Sequence, residues 1–250
     1  KLTKNGPGTQ KLSGFNTYTG LTKVQEGTLI LNGSVAGDVT VNLLGTLKGT
    51  GIIGGTLINF GTIAPGESIG TLTVLTDYVN ILGTYNVEVN AEGQSDLIDV
   101  SGNVSLSGGT VVVSAVDGYS FQTPYTIVNA DGIVTGTYTE ATSLDFINPI
   151  LTYDLHHVYL TIQSTLLRAA KTCNQFGVAR SLDELLNPSE AQSLLISAIA
   201  TLPLKQAQSA LETFSGFQYT QEVWLTEIAA RRFVRRLYDP LRPLVSSCGS

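Results

Sequence analysis

Short apolar runs, each opened by a glycine, recur through the first two thirds of this chain. Examples are Gly27-Thr28-Leu29-Ile30-Leu31, Gly70-Thr71-Leu72-Thr73-Val74, Gly83-Thr84-Tyr85-Asn86-Val87-Glu88-Val89 and Gly109-Thr110-Val111-Val112-Val113. Runs this short and this rich in β-branched residues read as strands. The leading glycine is expected to supply positive φ at a sharp corner. Strands at such spacing also suit a sandwich or a barrel. The monotony of the unit favours a solenoid, as does the scarcity of Asn-Gly hairpin signals, present only at Asn5-Gly6 and Asn32-Gly33. A β-helix needs only corners, stacked rung on rung.

Near Ser164 the pattern changes. Residues 1–165 carry five Lys and thirteen Asp/Glu, a net −8, and are rich in Gly and Thr; the remainder carries nine Lys/Arg and seven Asp/Glu, a net +2, and is rich in Leu and Ala. Spacing there becomes helical. Leu166 to Leu186 carries Phe176, Val178, Ala179, Leu182 and Leu185 on one face. Asn187-Pro188-Ser189-Glu190 is expected to start a second helix, with Leu194, Leu195, Ala198, Ile199 and Leu202 as its stripe. Pro203 divides it from a third, which turns Leu204, Ala207, Leu211 and Phe214 inward and stops at Gly216. A fourth runs from about Phe217 to Pro240. The two regimes divide the chain into a β region, 1–165, and an α-helical region, 166–250.

Charged residues make up 14% of the chain, and its net charge of −6 fits neither a disordered tail nor a nucleic-acid binder. No apolar stretch is long enough for a transmembrane helix, and the N-terminus shows no signal-peptide pattern. The chain has no Met and opens at Lys1, as expected of a piece of a longer exported product.

Candidate chemistry is sparse. Asp96 and Asp99 are the closest acidic pair, on opposite faces if both lie in one strand, and they read as structural. His156-His157 are adjacent, with no third ligand at a useful spacing, so no metal site is expected. No Gly-x-Ser-x-Gly and no P-loop occurs. Catalytic, cofactor and metal residues are therefore expected to be none. Cys173 and Cys248 are the only cysteines. A bridge between them closes a loop of about 75 residues and contributes about 2–4 kcal/mol; two free thiols are equally allowed. Arg231, Arg232, Arg235 and Arg236 form a basic face on the last helix. It either complements the helix dipole or faces anionic lipid or a barrel mouth. Tyr78, Tyr85, Tyr119, Tyr125, Tyr138 and Tyr153 either stack inside the solenoid or line an adhesive strip outside.

The opening residues carry a resemblance. Lys4, Gly6-Pro7-Gly8-Thr9, Leu12-Ser13-Gly14, Asn16-Thr17-Tyr18-Thr19-Gly20 and Gly27-Thr28-Leu29 resemble the passenger-associated transport repeat of bacterial autotransporters. Asn59 through Leu72, Ser95 through Gly102 with Leu106 and Gly108-Gly109-Thr110, and Leu151 through Asp154 with Val158 through Thr161 resemble the autochaperone-type end of such passengers. Thr172, Asn174-Gln175, Val178-Ala179, Leu182-Asp183, Ala210-Leu211, Ser215-Gly216, Tyr219 and Arg232-Phe233 resemble the helices that precede the family's barrel. The resemblance implies a right-handed single-stranded parallel β-helix, pectate-lyase-like and capped by α-helices, with an autochaperone-type segment at about 45–165. It further implies type V secretion to a Gram-negative cell surface or, after cleavage, to the medium. The implied partners are an upstream passenger and a C-terminal β-barrel. The expected role is non-enzymatic: to seed passenger folding and support display. Adhesion to host or neighbouring cells, or service as the stem of an upstream enzyme, are the alternatives.

Overall fold

A computed structural model describes residues 1–121, 123–143, 145–185 and 188–215 of the chain. They fall into two compact units. The first comprises Lys1–Leu144 and Pro149–Ile162; the second comprises Asp145–Asn148 and the described residues from Gln163 onward.

The first unit is a parallel β-helix. Its opening rung holds β1 (Leu2–Lys4), β2 (Thr9–Leu12) and β3 (Phe15–Asn16). In the next rung the first two sides merge into one bent strand, β4 (Thr22–Leu31), followed by β5 (Ser34–Val35). The third repeats this with β6 (Val39–Gly49) and β7 (Ile52–Ile53). After it come β8 (Leu57–Asn59), β9 (Thr62–Pro65) and β10 (Thr71–Val74), then β11 (Tyr78–Ile81), β12 (Thr84–Val89) and β13 (Leu97–Val100). A sixth rung holds β14 (Val104–Ser107), β15 (Thr110–Ala115) and β16 (Tyr125–Ala130). The seventh has only β17 (Val134–Thr137) and β18 (Glu140–Ser143) in parallel register. Two further strands, β19 (Ile147–Tyr153) and β20 (His157–Ser164), lie side by side, and β20 pairs antiparallel with β16. That reversal ends the parallel ladder of the second sheet, one of the means by which an open sheet edge is blunted.

Register makes the core. Leu29, Leu47, Ile63, Tyr85 and Val111 stack in one inward column. Val35, Ile53, Val74, Val100 and Ala130 form another. Val24, Val41, Asn59, Asn80 and Leu106 form a third. All of these side chains are buried. Strands stack about 4.8 Å apart, so each inward residue sits against its counterparts above and below.

Rung length is not constant. Thr22 and Val39 are 17 residues apart, Val39 and Leu57 18, and Leu57 and Tyr78 21. Tyr78 and Val104 are 26 apart, and Val104 and Val134 are 30 apart. Extra residues enter mainly between β12 and β13 and between β15 and β16. As the rungs lengthen, tyrosine enters the columns. Tyr78, Tyr85, Tyr119, Tyr125 and Tyr138 are all buried, so these five form no adhesive strip; Tyr153 is half-buried.

The second unit opens with a 3-10 turn, Leu166–Arg168, and continues through α1 (Cys173–Asp183), α2 (Glu190–Ala200) and α3 (Leu204–Phe214). Thr172 caps α1 and exchanges bonds with Gln175 in a capping box. Ser189 caps α2, with Gln192 as its reciprocal partner, in place of the expected Asn187 cap; Asn187 itself lies outside the described residues. α1 packs on α3 through Ala207 and Leu211, which are buried, whereas Leu204 is exposed. In α2 the buried residues are Ile196, Ser197, Ile199 and Ala200, and Leu194 is exposed. The expected stripe is thus rotated, because apolar residues surround this helix on more than one side.

Candidate functional site

The transport-repeat residues close a turn. Lys4 ends β1 with its side chain folded inward, and its ammonium donates to the carbonyls of Gly6 (2.6 Å), Glu26 (2.9 Å) and Asn5 (3.4 Å). The three carbonyls come from the corners of two successive rungs, so one cation joins both. Gly27 faces the same point at φ 72°, and a Cβ there would lie 2.5 Å from the carbonyl oxygens of Gly6 and Gly8. Lysine and glycine are therefore required together.

A polar ladder runs through the core of the later rungs. Asn59 donates from Nδ2 to Asn80 Oδ1 (2.8 Å) and accepts from the Gly61 amide (3.1 Å). Asn80 passes the chain onward from Nδ2 to the Gly108 carbonyl (2.8 Å). The Tyr78 hydroxyl donates to Asn80 Oδ1 and pairs with the Tyr138 hydroxyl, both at 3.2 Å. Tyr85 donates to the Ile127 carbonyl and Tyr125 to the Asn90 carbonyl. Burial pushes every one of these phenols upward, Tyr125 to about 12, so they act as neutral donors throughout the physiological range.

Asp96 and Asp99 have separate structural tasks, as expected. Asp96 precedes β13 and is buried; Asp99 lies on β13 and accepts from Asn129 Nδ2 at 2.7 Å. The two histidines differ from expectation: His156 lies in the turn before β20, so the two rings meet edge to face at 6.3 Å. Asp154, unremarked in the sequence, gathers the His156 and His157 amides, His157 Nδ1 and the Tyr159 hydroxyl. Those bonds hold its carboxyl well below the usual range, and the cluster is exposed. It is a turn clasp. Among the described residues, no three His, Cys, Asp or Glu side chains converge to hold a metal ion.

In the helical unit the resembling residues are again clasps. Asp183 accepts the Leu166 and Leu167 amides, each at 2.9 Å, together with the Ser164 hydroxyl. Glu212 of α3 accepts Thr172 Oγ1 (2.9 Å), and Gln175 donates to the Gln208 carbonyl (3.1 Å). Cys173 opens α1. Its candidate partner Cys248 and the four arginines Arg231, Arg232, Arg235 and Arg236 lie outside the described residues, as do Gly216 and the expected helix from Phe217.

Residues 2–31 and 21–48 match the passenger-associated-transport-repeat family. An extracellular serine protease of Serratia marcescens is 36% identical over 231 residues, which is 86% of this chain and 22% of the relative. A second Serratia marcescens protein of the same description is 32% identical, again over 86% of the chain and 22% of the relative. The adhesin BmaC autotransporter of Brucella suis biovar 1 (strain 1330) is 34% identical over 145 residues, 52% of this chain and 4% of the relative. The chain thus spans 22% of the length of the first two relatives. With the repeat seated on the rungs that Lys4 and Gly27 close, and with this sequence shared by an autotransporter adhesin, the chain belongs to the autotransporter passengers.

Proposed function

We propose that this segment seeds the folding of its passenger and supports display at the outer membrane, without catalysis of its own. The observation that carries this reading is the bonded ladder from Asn59 through Asn80 and Tyr78 to Tyr138, which ties the later rungs together. In a solenoid each rung contacts mainly its neighbours, so a stable rung templates the next. Residues 1–165 form the stem, with the seeding segment at about 45–165, and residues 166–250 form the pre-barrel region. The partners are the upstream passenger and a C-terminal β-barrel. The location is the cell surface, or the medium after cleavage.

The test is deletion of residues 45–165 from the parent polypeptide. Loss of upstream protease resistance and of export is expected; a passenger that still folds and reaches the surface refutes the reading. Fractionation of source cells checks its frame, since a larger, heat-modifiable outer-membrane species is expected.

A second reading, the stem of an enzymatic passenger, is favoured by the two relatives named extracellular serine proteases, of which this region is only 22%. Proteolysis confined to proteins that include upstream sequence would support it. Adhesion through the β-helix surface is favoured by the relative named an adhesin, and cell binding by this chain alone tests it. The Cys173–Cys248 bridge and a lipid- or barrel-facing role for Arg231, Arg232, Arg235 and Arg236 belong to the same proposal.

A further inference from the structure

Asp96 stands at the base of a projecting turn. Its Oδ1 accepts the Gly70 amide and its Oδ2 the Glu88 amide, each at 2.9 Å, while its own amide donates to the Glu88 carbonyl. Beyond it the chain doubles back. Val89 and Ser95 pair antiparallel, and Asn90 and Gln94 bond one another through backbone and side chain. One carboxyl therefore fastens the 89–95 turn to the corner of the preceding rung, 26 residues earlier in sequence. The turn and that corner flank an open cleft of about 550 Å³, lined by Ser68, Ile69, Gly70, Gln94, Ser95 and Val116 among others. On its other side Asp96 borders a recess of about 150 Å³ with Lys48, Glu67 and Glu88.

We propose that Asp96 is a proton-controlled latch: in its protonated form it holds the 89–95 turn against the Gly70 corner, and its ionisation frees the turn and remodels the cleft.

The carboxyl is 1% exposed, and among the described residues no cation forms an ion pair with it. Burial raises it most, the two amide bonds oppose this, Glu88 adds to it and Lys48 of β6 opposes it, leaving it at about 7. Glu67 of the preceding corner is held low by Lys11 and Asn32, so it stays anionic across the range. The β15 residues facing the recess, Val112 and Ser114, are neutral. Inside, the Tyr85 phenol is pushed far up by burial and by Asp96 and does not titrate.

Opening of the turn returns the carboxyl to water and to its ordinary value of 3.8. The closed form then binds the proton more tightly than the open one, so closure is favoured in acid and lost as pH rises. The opening constant should climb about tenfold per pH unit between roughly 4 and 7 and level off above 7, a span of about a thousandfold.

Hydrogen exchange of the whole chain between pH 4.5 and 8.5, corrected for intrinsic rates, tests this at the Gly70 and Glu88 amides and the 89–95 turn. The wild type should show the climb and the plateau. Asp96→Asn, which keeps an acceptor and cannot ionise, should be flat. An Asp96→Asn profile that matches wild type overturns the latch. A carboxyl-carbon NMR titration of the wild-type chain decides independently should that variant fail to fold. A midpoint near 7 for Asp96 supports the latch, and a midpoint in the ordinary carboxylate range overturns it.

Discussion

Asn80→Ala is the sharpest probe of the core ladder. Asn80 gives Nδ2 to the Gly108 carbonyl at 2.8 Å and more weakly to Gly83 at 3.3 Å, and its Oδ1 receives Asn59 at 2.8 Å and Tyr78 at 3.2 Å. Alanine removes all four. Tyr78 keeps Tyr138, but Asn59 keeps only a 3.4 Å contact to the Thr84 carbonyl through that nitrogen, and Gly108 loses its amide donor. Two buried groups left without adequate partners cost about 1–3 kcal/mol each. Water entering the vacated space recovers part of this, so a net loss of about 3–4 kcal/mol is expected. That is a large share of the ~5–15 kcal/mol that holds a typical domain. Rungs of a solenoid can open separately, so the loss is read locally, as faster hydrogen exchange at β11 and β14, alongside urea unfolding followed by far-UV circular dichroism. Asn86→Ala, on an exposed position of the neighbouring β12, is the control and should stay within about 0.5 kcal/mol of wild type. The double variant Asn59→Val/Asn80→Leu removes both amides and installs the side chains found at Val41 and Leu106 in the same column. It should cost at least 1 kcal/mol less than the sum of its single changes. If Asn80→Ala behaves like the control, the ladder holds nothing and the argument fails.

Gly27→Ala combines a left-handed backbone with a Cβ 2.5 Å from two carbonyl oxygens. It should lose at least about 2 kcal/mol and expose the first two rungs to limited proteolysis. Gly6→Ala, at φ 77° with nothing within 4 Å of its Cβ, should lose only about 1–2 kcal/mol. In the helical unit, Asp183→Asn weakens the clasp on the Leu166 and Leu167 amides and Ser164. A loss of about 1–3 kcal/mol is expected, read as faster exchange of those two amides with the 1–143 rungs unchanged.

Much of the solenoid is legible because its strands repeat one local pattern. The runs opened by Gly27, Gly70, Gly83 and Gly109 fall within or become β4, β10, β12 and β15. The reason given for the glycines holds in part. Gly27 and Gly109 have positive φ, whereas Gly83 does not and is needed because a Cβ would meet Asn59 Nδ2 at 2.2 Å. That contact joins residues 24 apart and leaves no local trace. The same is true of Asn59 and Asn80. Asparagine reads as a turn residue, and only the 21-residue register places both amides in the core. In α2 the sequence offers two apolar faces and local spacing cannot choose between them. Lys4 was visible as part of the repeat, yet its inward fold depends on carbonyls brought together by the next rung.

The lengthening rungs tie these details to the proposed role. A turn of 30 residues encloses a wider section than one of 17, and Leu or Val cannot span it at native packing density. Tyrosine fills the added width, but each buried hydroxyl then needs a partner, which the neighbouring amides and carbonyls supply. Those bonds exist in one register only. A one-residue slip reverses every side chain and would leave the phenols and amides unpaired in the core. In the early rungs the same slip is opposed mainly by apolar burial, since Leu29, Leu47, Val35 and Ile53 make no directional bonds. Register information is therefore concentrated in the rungs from Asn59 to Tyr138. A solenoid that copies register from rung to rung gains most when this end forms before the aliphatic rungs stack upon it.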